Sequence, residues 1–354
     1  MQAAGWKTQP EPPQRPQLSA TGGLGLRLAA KRQNRIPMDL PPPGPCPACG
    51  CTEDFRVFSA REMQFGTREV FAYRECSRCG SLSIAAVPAD LGRFYPANYY
   101  SYEALAPSRP AGPVLRRLAS RWLIASPDPL ARLVARCLSY RRHAFYQWAR
   151  ICKVGLDARI LDVGCGNGAL LRRMQRAGFT ELSGIDPYAP AETAEPHFRI
   201  RRAAEPLPDE RFDLVMMHHV LEHLPDPVQG LAMARGCLRP GGRILVRLPV
   251  AGSFVHRKYG ANWYHLDAPR HLVIPSLRGI AGMSERAGLR LLKSGFDGGE
   301  PSFLMSESYI LDLPARRAPR PDRATRVRYR RWARRLNAQG DGDQGFFVFA
   351  ASPG

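Results

Sequence analysis

With 354 residues and a formal net charge of +20, the chain has room for one catalytic-sized α/β domain and a small extra module. No apolar run approaches the roughly 20 residues needed to span a bilayer, which excludes a transmembrane helix. The nine Cys, four of them in two tight pairs, do not form the framework of a disulfide-stapled secreted domain, so a reducing cytoplasm is the expected setting.

Residues 1–45 are rich in Pro, Gly, Gln and Arg and lack apolar periodicity, and are expected to be disordered. Met38, just ahead of the first ordered-looking motif, is favoured as the start over a transit-peptide reading of this acid-poor segment. Residues 46–102 read as a small β-rich module with strands at 55–58 and 69–74. It contains Cys46-Pro-Ala-Cys49-Gly and Cys76-Ser-Arg-Cys79-Gly. Two residues between thiolates let both reach one ion, and the Gly permits the tight turn over the sulfurs. Two such knuckles make Cys46, Cys49, Cys76 and Cys79 a tetrahedral set suited to Zn²⁺, with iron as the alternative. A closed site of this kind is structural, and metal binding supplies much of the module's folding free energy. Cys51 is a nearby thiol outside the set. Residues 94–102 (FYPANYYSY) add a Tyr cluster that either stacks on a base or sugar ring or packs the module on the next helix.

Residues 103–155 read as a linker and two basic amphipathic helices, Pro113–Ala125 and 129–153, expected to pack on the domain that follows. From 156 to 354 strands and helices alternate. Strands are expected at Arg159–Val163, 182–186, 198–203, Phe212–His218, 243–249, Leu289–Phe296 and 345–350. Helices are expected at 168–177, 227–238 and 277–287, the first closed by Gly178 as a left-handed cap and the second by Pro240-Gly241-Gly242. This order implies an α/β, Rossmann-like, doubly wound and mostly parallel seven-stranded sheet preceded by the β-rich zinc module. Residues 314–335 carry ten Arg against one acid, Asp322. A solvated basic surface is favoured there over a nucleic-acid groove, because net charge bears on association more than on fold.

The stretch 160–168 (ILDVGCGNG) ends a strand, turns on glycines and opens a helix. Gly164, Gly166 and Gly168, with Cys165 in the turn, let backbone approach a ligand, and the helix N-terminus offers N–H groups to an anion. Asp186 ends the next strand at the spacing of a ribose-binding carboxylate. GCGNGA also fits a dinucleotide fingerprint. Asp162 separates the readings: a buried carboxylate two residues before the first Gly repels a pyrophosphate but suits an ammonium. S-adenosylmethionine (SAM), whose methionine end carries an ammonium and a carboxylate, is therefore favoured over NAD.

These motifs resemble those of class I SAM-dependent methyltransferases, in the family's order: 160–171, 184–186, 212–224 (FDLVMMHHVLEHL) and 238–246 (LRPGGRILV). The resemblance covers residues 156–296. It implies that adenine stacks near the loop after the third strand, where Ala204 and Glu205 stand with Glu205 toward the adenine edge, and that His219 is cofactor-adjacent. The cysteine knuckles, the Tyr segment, this core and residues 263–272 (WYHLDAPRHL) together resemble bacterial methyltransferases of sugars, surface polysaccharides or secondary metabolites.

Methyl transfer from a sulfonium is an in-line displacement, so the protein supplies alignment and, for an oxygen or carbon nucleophile, a base. Side chains with a pKa near neutrality at the carboxyl ends of the strands are the candidates: His271 and His265 first, then His219. No N-P-P-Y-like segment follows strand four, and no strand-end Cys other than Cys165 exists, which disfavours base N-methylation and RNA C5 methylation. The expected activity is methyl transfer from SAM to an O, N or C atom of a small-molecule or glycan acceptor. The alternatives are an RNA acceptor held by the zinc module and the Arg-rich segment, and a cofactor fold kept without catalysis.

Overall fold

The structure, a computed structural model, describes residues 42, 44–95, 113–125, 144–206 and 209–353. The expectations for most of residues 1–45, for the Tyr cluster beyond Tyr95 and for residues 129–143 of the second helix lie outside them. Three strands, β1 (Phe55–Arg61), β2 (Val70–Cys76) and β3 (Leu82–Ile84), form an antiparallel meander. Helices α1 (Pro113–Ala125) and α2 (Ala144–Cys152) follow, joined by a Ser120–Tyr146 hydroxyl contact of 3.0 Å.

The large sheet begins with β4 (Arg159–Val163), α3 (Ala169–Arg176), β5 (Glu181–Ile185), β6 (Thr193–Glu195), β7 (Phe198–Arg201) and β8 (Phe212–His218). It continues through α4 (Pro227–Gly236), β9 (Leu238–Pro249), α5 (Phe254–Tyr259), β10 (Val273–Ile274), α6 (Leu277–Arg286) and β11 (Leu289–Phe296). Helices α7 (Glu300–Ile310) and α8 (Arg323–Gln339) and strand β12 (Gln344–Ala351) complete the chain. The strand order is β11-β12-β9-β8-β4-β5-β7-β6. Strands β7, β5, β4, β8 and β9 run parallel, and β12 lies antiparallel between β9 and β11. Successive side chains alternate faces: Leu214 and Met216 enter the core that holds α2 and α3, while Val215 and Met217 enter the one that holds α4 and α6. Among the described residues no helix is long and apolar enough to cross a membrane.

Helices α5, α7 and α8 and strand β10 are not expected from the sequence, and two details of the sheet also differ. An eighth strand, β6, hairpins onto β7 through Pro196 and His197, the latter at φ 68°; three residues bounded by Pro carry too little pattern to stand out. The helix expected to run to residue 238 ends at Gly236, and β9 starts at Leu238. Pro240-Gly241-Gly242 forms an irregularity inside the strand, because the pairing jumps from Phe212↔Leu238 to Leu214↔Arg243. Gly178 takes φ 98° after α3 as expected.

The small sheet is finished by the large domain's own chain. Strand β10 pairs antiparallel with β3, Ile274 opposite Leu82, so the four-stranded sheet reads β1-β2-β3-β10. The Tyr73 hydroxyl donates to the His271 carbonyl at 2.8 Å. At the centre lies Arg270, fully buried. Its guanidinium donates to both oxygens of Asp267, at 2.9 and 2.6 Å, to Glu62 Oε1 at 3.0 Å and to the Phe94 carbonyl at 3.3 Å. Glu62, equally buried, accepts the backbone N–H groups of Phe65, Gly66 and Thr67 at 2.8–2.9 Å.

Removing one partner from such a group strands the remaining charge in a low-dielectric interior. Arg270→Met is expected to lower unfolding stability by about 3–5 kcal/mol, read from the urea midpoint. Adding Glu62→Gln should recover part of that loss, and a further loss instead would show that charge imbalance is not its cause.

Candidate functional site

The two cysteine knuckles meet. Sγ of Cys46 lies 3.7 Å from Cys79, and Cys49 lies 3.7 Å from Cys76. All four sulfurs fall within 4.8 Å of one another. A tetrahedron with bonds of about 2.3 Å requires sulfurs about 3.8 Å apart, so the residues fit a zinc ion. Gly50 and Gly80 take φ of 75° and 74°, the left-handed conformation that closes each knuckle. One hydrogen shared between the Cys46 and Cys79 thiols lowers Cys79 and raises Cys46, and a metal ion would take the place of that hydrogen. The knuckles are seated on α6: Ser276 Oγ donates to the Cys79 carbonyl, its N–H donates to Ser81 Oγ at 3.1 Å, and Arg286 donates to the Pro47 carbonyl at 2.9 Å.

At the carboxyl end of β4 the chain turns through Gly164, Gly166 and Gly168, all at positive φ. A Cβ at Gly164 would stand 2.5 Å from Val220, and one at Gly168 2.4 Å from Ile200. These glycines are thus demanded by the turn and its own neighbours. The Gly166 N–H donates to Asp186 Oδ2 at 2.9 Å, and Tyr188 N–H donates to Asp186 Oδ1 at 2.8 Å. Asp186 therefore braces the turn from the end of β5, with a second lone pair free for a ligand on each oxygen. The Cys165 side chain is turned into the core, its Sγ against Gly184, so only its backbone faces the turn. Glu205 is exposed on the loop after β7.

Asp162 is buried and makes no hydrogen bond or ion pair among the described residues. Burial, with Asp186 nearby, pushes it up to about 8. A lone buried carboxyl at a strand end is a site for a cation, and the residues fit the ammonium of SAM.

One strand over, β8 delivers a second group. His219 sits at φ 56°, and its Nδ1 lies 3.0 Å from Glu222 Oε1. Glu222 is fully buried. Burial alone would raise it, but the hydrogen bond from His219 together with the charges of His219, His271 and His223 holds it down to about 2. His218 is enclosed against Trp148, ring centroids 4.4 Å apart, with Arg247 over the other partner's ring at 5.1 Å. Burial drives His218 well below its usual value, and neither ring nitrogen has a hydrogen-bond partner.

The loop before β10 closes over these groups because the Leu272 N–H donates to the Glu222 carbonyl at 2.7 Å. His271 is buried, its Nδ1 2.7 Å from the His265 carbonyl, and burial lowers it to about 4. His265 is likewise lowered by burial, and its Nε2 lies 3.8 Å from Asp343. Trp263 donates to Asp343 at 3.1 Å and is enclosed in the core with Phe303. Burial would raise Asp267 too, but Arg270 holds it down to about 2.

The structure thus gathers His219, His271 and His265 around Glu222 and Asp267, and Asp162 with Asp186 around the glycine turn. Tyr95, from the Tyr segment singled out in the sequence, joins these clusters, as do Trp148 and Arg247, which carry no local sequence signal. Tyr95 comes from the zinc module and lies 3.0 Å from His223 Nδ1.

Over residues 130–294 the chain matches the family described as a methyltransferase domain. It is similar to the tRNA U34 carboxymethyltransferase of Azotobacter vinelandii, 38% identical over 128 residues, covering 31% of this chain and 39% of that one. It is also similar to the ubiquinone biosynthesis O-methyltransferase of Alkalilimnicola ehrlichii, 34% identical over 108 residues, covering 27% and 43%. The chain spans less than half the length of these relatives. Among solved structures, an S-adenosylmethionine dependent methyltransferase from Mesorhizobium loti is similar at 16% identity with a TM-score of 0.38, covering 59% of this chain and 98% of that one.

With Asp162 near 8, its carboxyl is mostly protonated at pH 7 and must ionise to pair with an ammonium. Binding of S-adenosylhomocysteine at pH 7 is expected to release about one proton, read by calorimetry in buffers of different ionisation enthalpy, and Asp162→Asn should abolish the release. The folded state holds a proton that the unfolded carboxyl loses near 4, so this group destabilises the free protein as pH rises from about 4 to 8. Asp162→Asn should flatten that slope.

Proposed function

We propose that this chain, which carries a class I SAM-dependent methyltransferase domain, moves the sulfonium methyl group onto an oxygen of a small-molecule or glycan acceptor in the cytoplasm. The observation that carries this reading is the pairing of two groups on neighbouring strands. A lone buried acid and glycine turn end β4, and a histidine–carboxylate dyad follows β8, beside it in the sheet.

In this reading Asp162 holds the methionine ammonium and Asp186 accepts from the ribose hydroxyls. Glu205 faces the adenine edge, and the turn of Gly164, Cys165, Gly166 and Gly168 supplies backbone around the methionine end. SAM supplies an electrophilic methyl on an already good leaving group. The protein's share is then to align the acceptor and take its proton. Glu222 fixes the hydrogen of His219 on Nδ1, which leaves Nε2 as the base, the arrangement by which a carboxylate orients a catalytic imidazole. His271 and His265 are neutral, and in this reading they wall the acceptor side. The cysteine knuckles with zinc hold the module whose strand β3 carries the loop of His271.

A second reading has its own support. Every Arg of α8 is exposed, and among the described residues only Arg326 and Arg330 pair with a carboxylate, that of Glu300. Relatives of the domain are named for a tRNA U34 reaction. An RNA acceptor would lie along that helix. The small acceptor is preferred because the side chains around His219 are buried rather than spread on a surface.

His219→Gln is expected to lower kcat by about 10²–10⁴-fold, followed as S-adenosylhomocysteine formed with a panel of hydroxylated acceptors. A change confined to the cofactor KM would reduce His219 to a cofactor contact. RNA binding that weakens steeply with salt would favour the second reading, and no RNA binding at low salt would remove it.

A further inference from the structure

Beside the dyad, and sharing its Glu222, lies a group whose remaining lone pairs methyl transfer, as proposed, leaves unused. Glu222, His223 and His271 each direct a donor atom into one small space, the three atoms within 4.8 Å of one another. Their hydrogens can be assigned from their partners. A carbonyl only accepts, so the 2.9 Å contact of His223 Nδ1 with the Arg270 carbonyl fixes its hydrogen on Nδ1. The 2.7 Å contact of His271 Nδ1 with the His265 carbonyl does the same. Each ring keeps a bare Nε2 lone pair. Glu222 Oε1 is taken by His219, while Oε2, on a fully buried side chain, has no hydrogen-bond partner among the described residues.

Two imidazoles and one carboxylate with donor atoms within 4.8 Å of one another crowd lone pairs together, and the Asp267 carboxylate, 3.9 Å from His271 Nε2, adds a further negative group. An unpaired buried carboxylate oxygen is costly by itself. A cation removes both penalties. Ligating histidines characteristically give their other N–H to a backbone carbonyl or carboxylate, the bonding found at both rings. We infer that Glu222, His223 and His271 form a second metal site, separate from the four cysteines, for a divalent first-row ion such as Mn²⁺, Fe²⁺, Co²⁺ or Zn²⁺.

The donor set supports this choice. Two imidazoles and one carboxylate with open positions suit the first-row ions, whereas the four thiolates select zinc. Donors at about 2.1 Å from an ion stand about 3–4 Å apart, a closure within reach of the side-chain torsions. The ion would sit at the carboxyl end of the sheet beside His219, where a Lewis acid lowers the pKa of a bound hydroxyl. That catalytic role rests on the proposed function; the ligand assignment does not.

The test uses the intact protein with zinc in its cysteine site, titrated with Mn²⁺ while free Mn²⁺ is followed by electron paramagnetic resonance. One Mn²⁺ bound per chain is expected, with zinc content unchanged. Glu222→Gln, which keeps the shape of the side chain, should weaken Mn²⁺ binding at least about tenfold. His223→Gln, at a less enclosed position, gives a second variant with the same expectation, and zinc content and S-adenosylhomocysteine binding report that each remains folded. Absence of stoichiometric Mn²⁺ binding by the unaltered protein, or undiminished binding by either folded variant, overturns the assignment. Because the readout is binding of Mn²⁺ alone, its failure is distinguishable from failure of the methyl-transfer reading.

Discussion

The buried guanidinium of Arg270 is the constraint on which the site depends. It joins Glu62 of the small sheet to Asp267 of the loop before β10, and so holds two parts of the chain far apart in sequence. A buried ion group adds little net stability compared with a well-packed apolar core. What it imposes is position, because its charges are satisfied in one arrangement only. With Arg270 seated, Leu272 reaches the Glu222 backbone and β10 completes the small sheet. His271 then falls beside His223 and Glu222. The four-cysteine centre acts at the other end of the same sheet, since Ser81 and Cys79 are bonded to Ser276, five residues after His271 and just past the end of β10. The four-cysteine module is thus part of the frame of the candidate acceptor site.

Local pattern made some of this legible. The glycine turn, Asp162 and Asp186, and the four cysteines are short motifs whose spacing reports the geometry directly, and the alternation of β4, β5 and β8 with helices reports the sheet. What stayed hidden depends on distant pairings. A two-residue strand such as β10 has no periodicity to read, and nothing near Arg270 names Glu62 as its partner. The histidines illustrate the limit well. Their residue type suggests titration near neutrality, but burial sets their behaviour: it lowers His271, His265 and His218, and it leaves His219 as the ring with a carboxylate partner and an open side.

The carboxylates teach the same lesson from the other direction. Asp162, Glu222 and Asp267 are all enclosed, and enclosure alone raises each. Glu222 and Asp267 are held near 2 because a hydrogen-bonding cationic or imidazole partner is at hand, while Asp162, with only another acid nearby, stands near 8. The contrast separates structural from receptive charge. An acid already paired within the protein has its counter-charge, and an acid left alone, such as Asp162, is the candidate for one brought from outside.

That distinction also bears on the net charge of +20. The fully buried Arg270 is matched to Glu62 and Asp267, while the Arg of α8 lie on an exposed face. Charge of that kind is screened within about 10 Å at ordinary ionic strength. It therefore acts on what approaches the protein and at what rate, and adds little at the buried clusters between β4, β8 and β10, where the Asp162 carboxyl and Glu222 Oε2 have no cationic partner among the described residues.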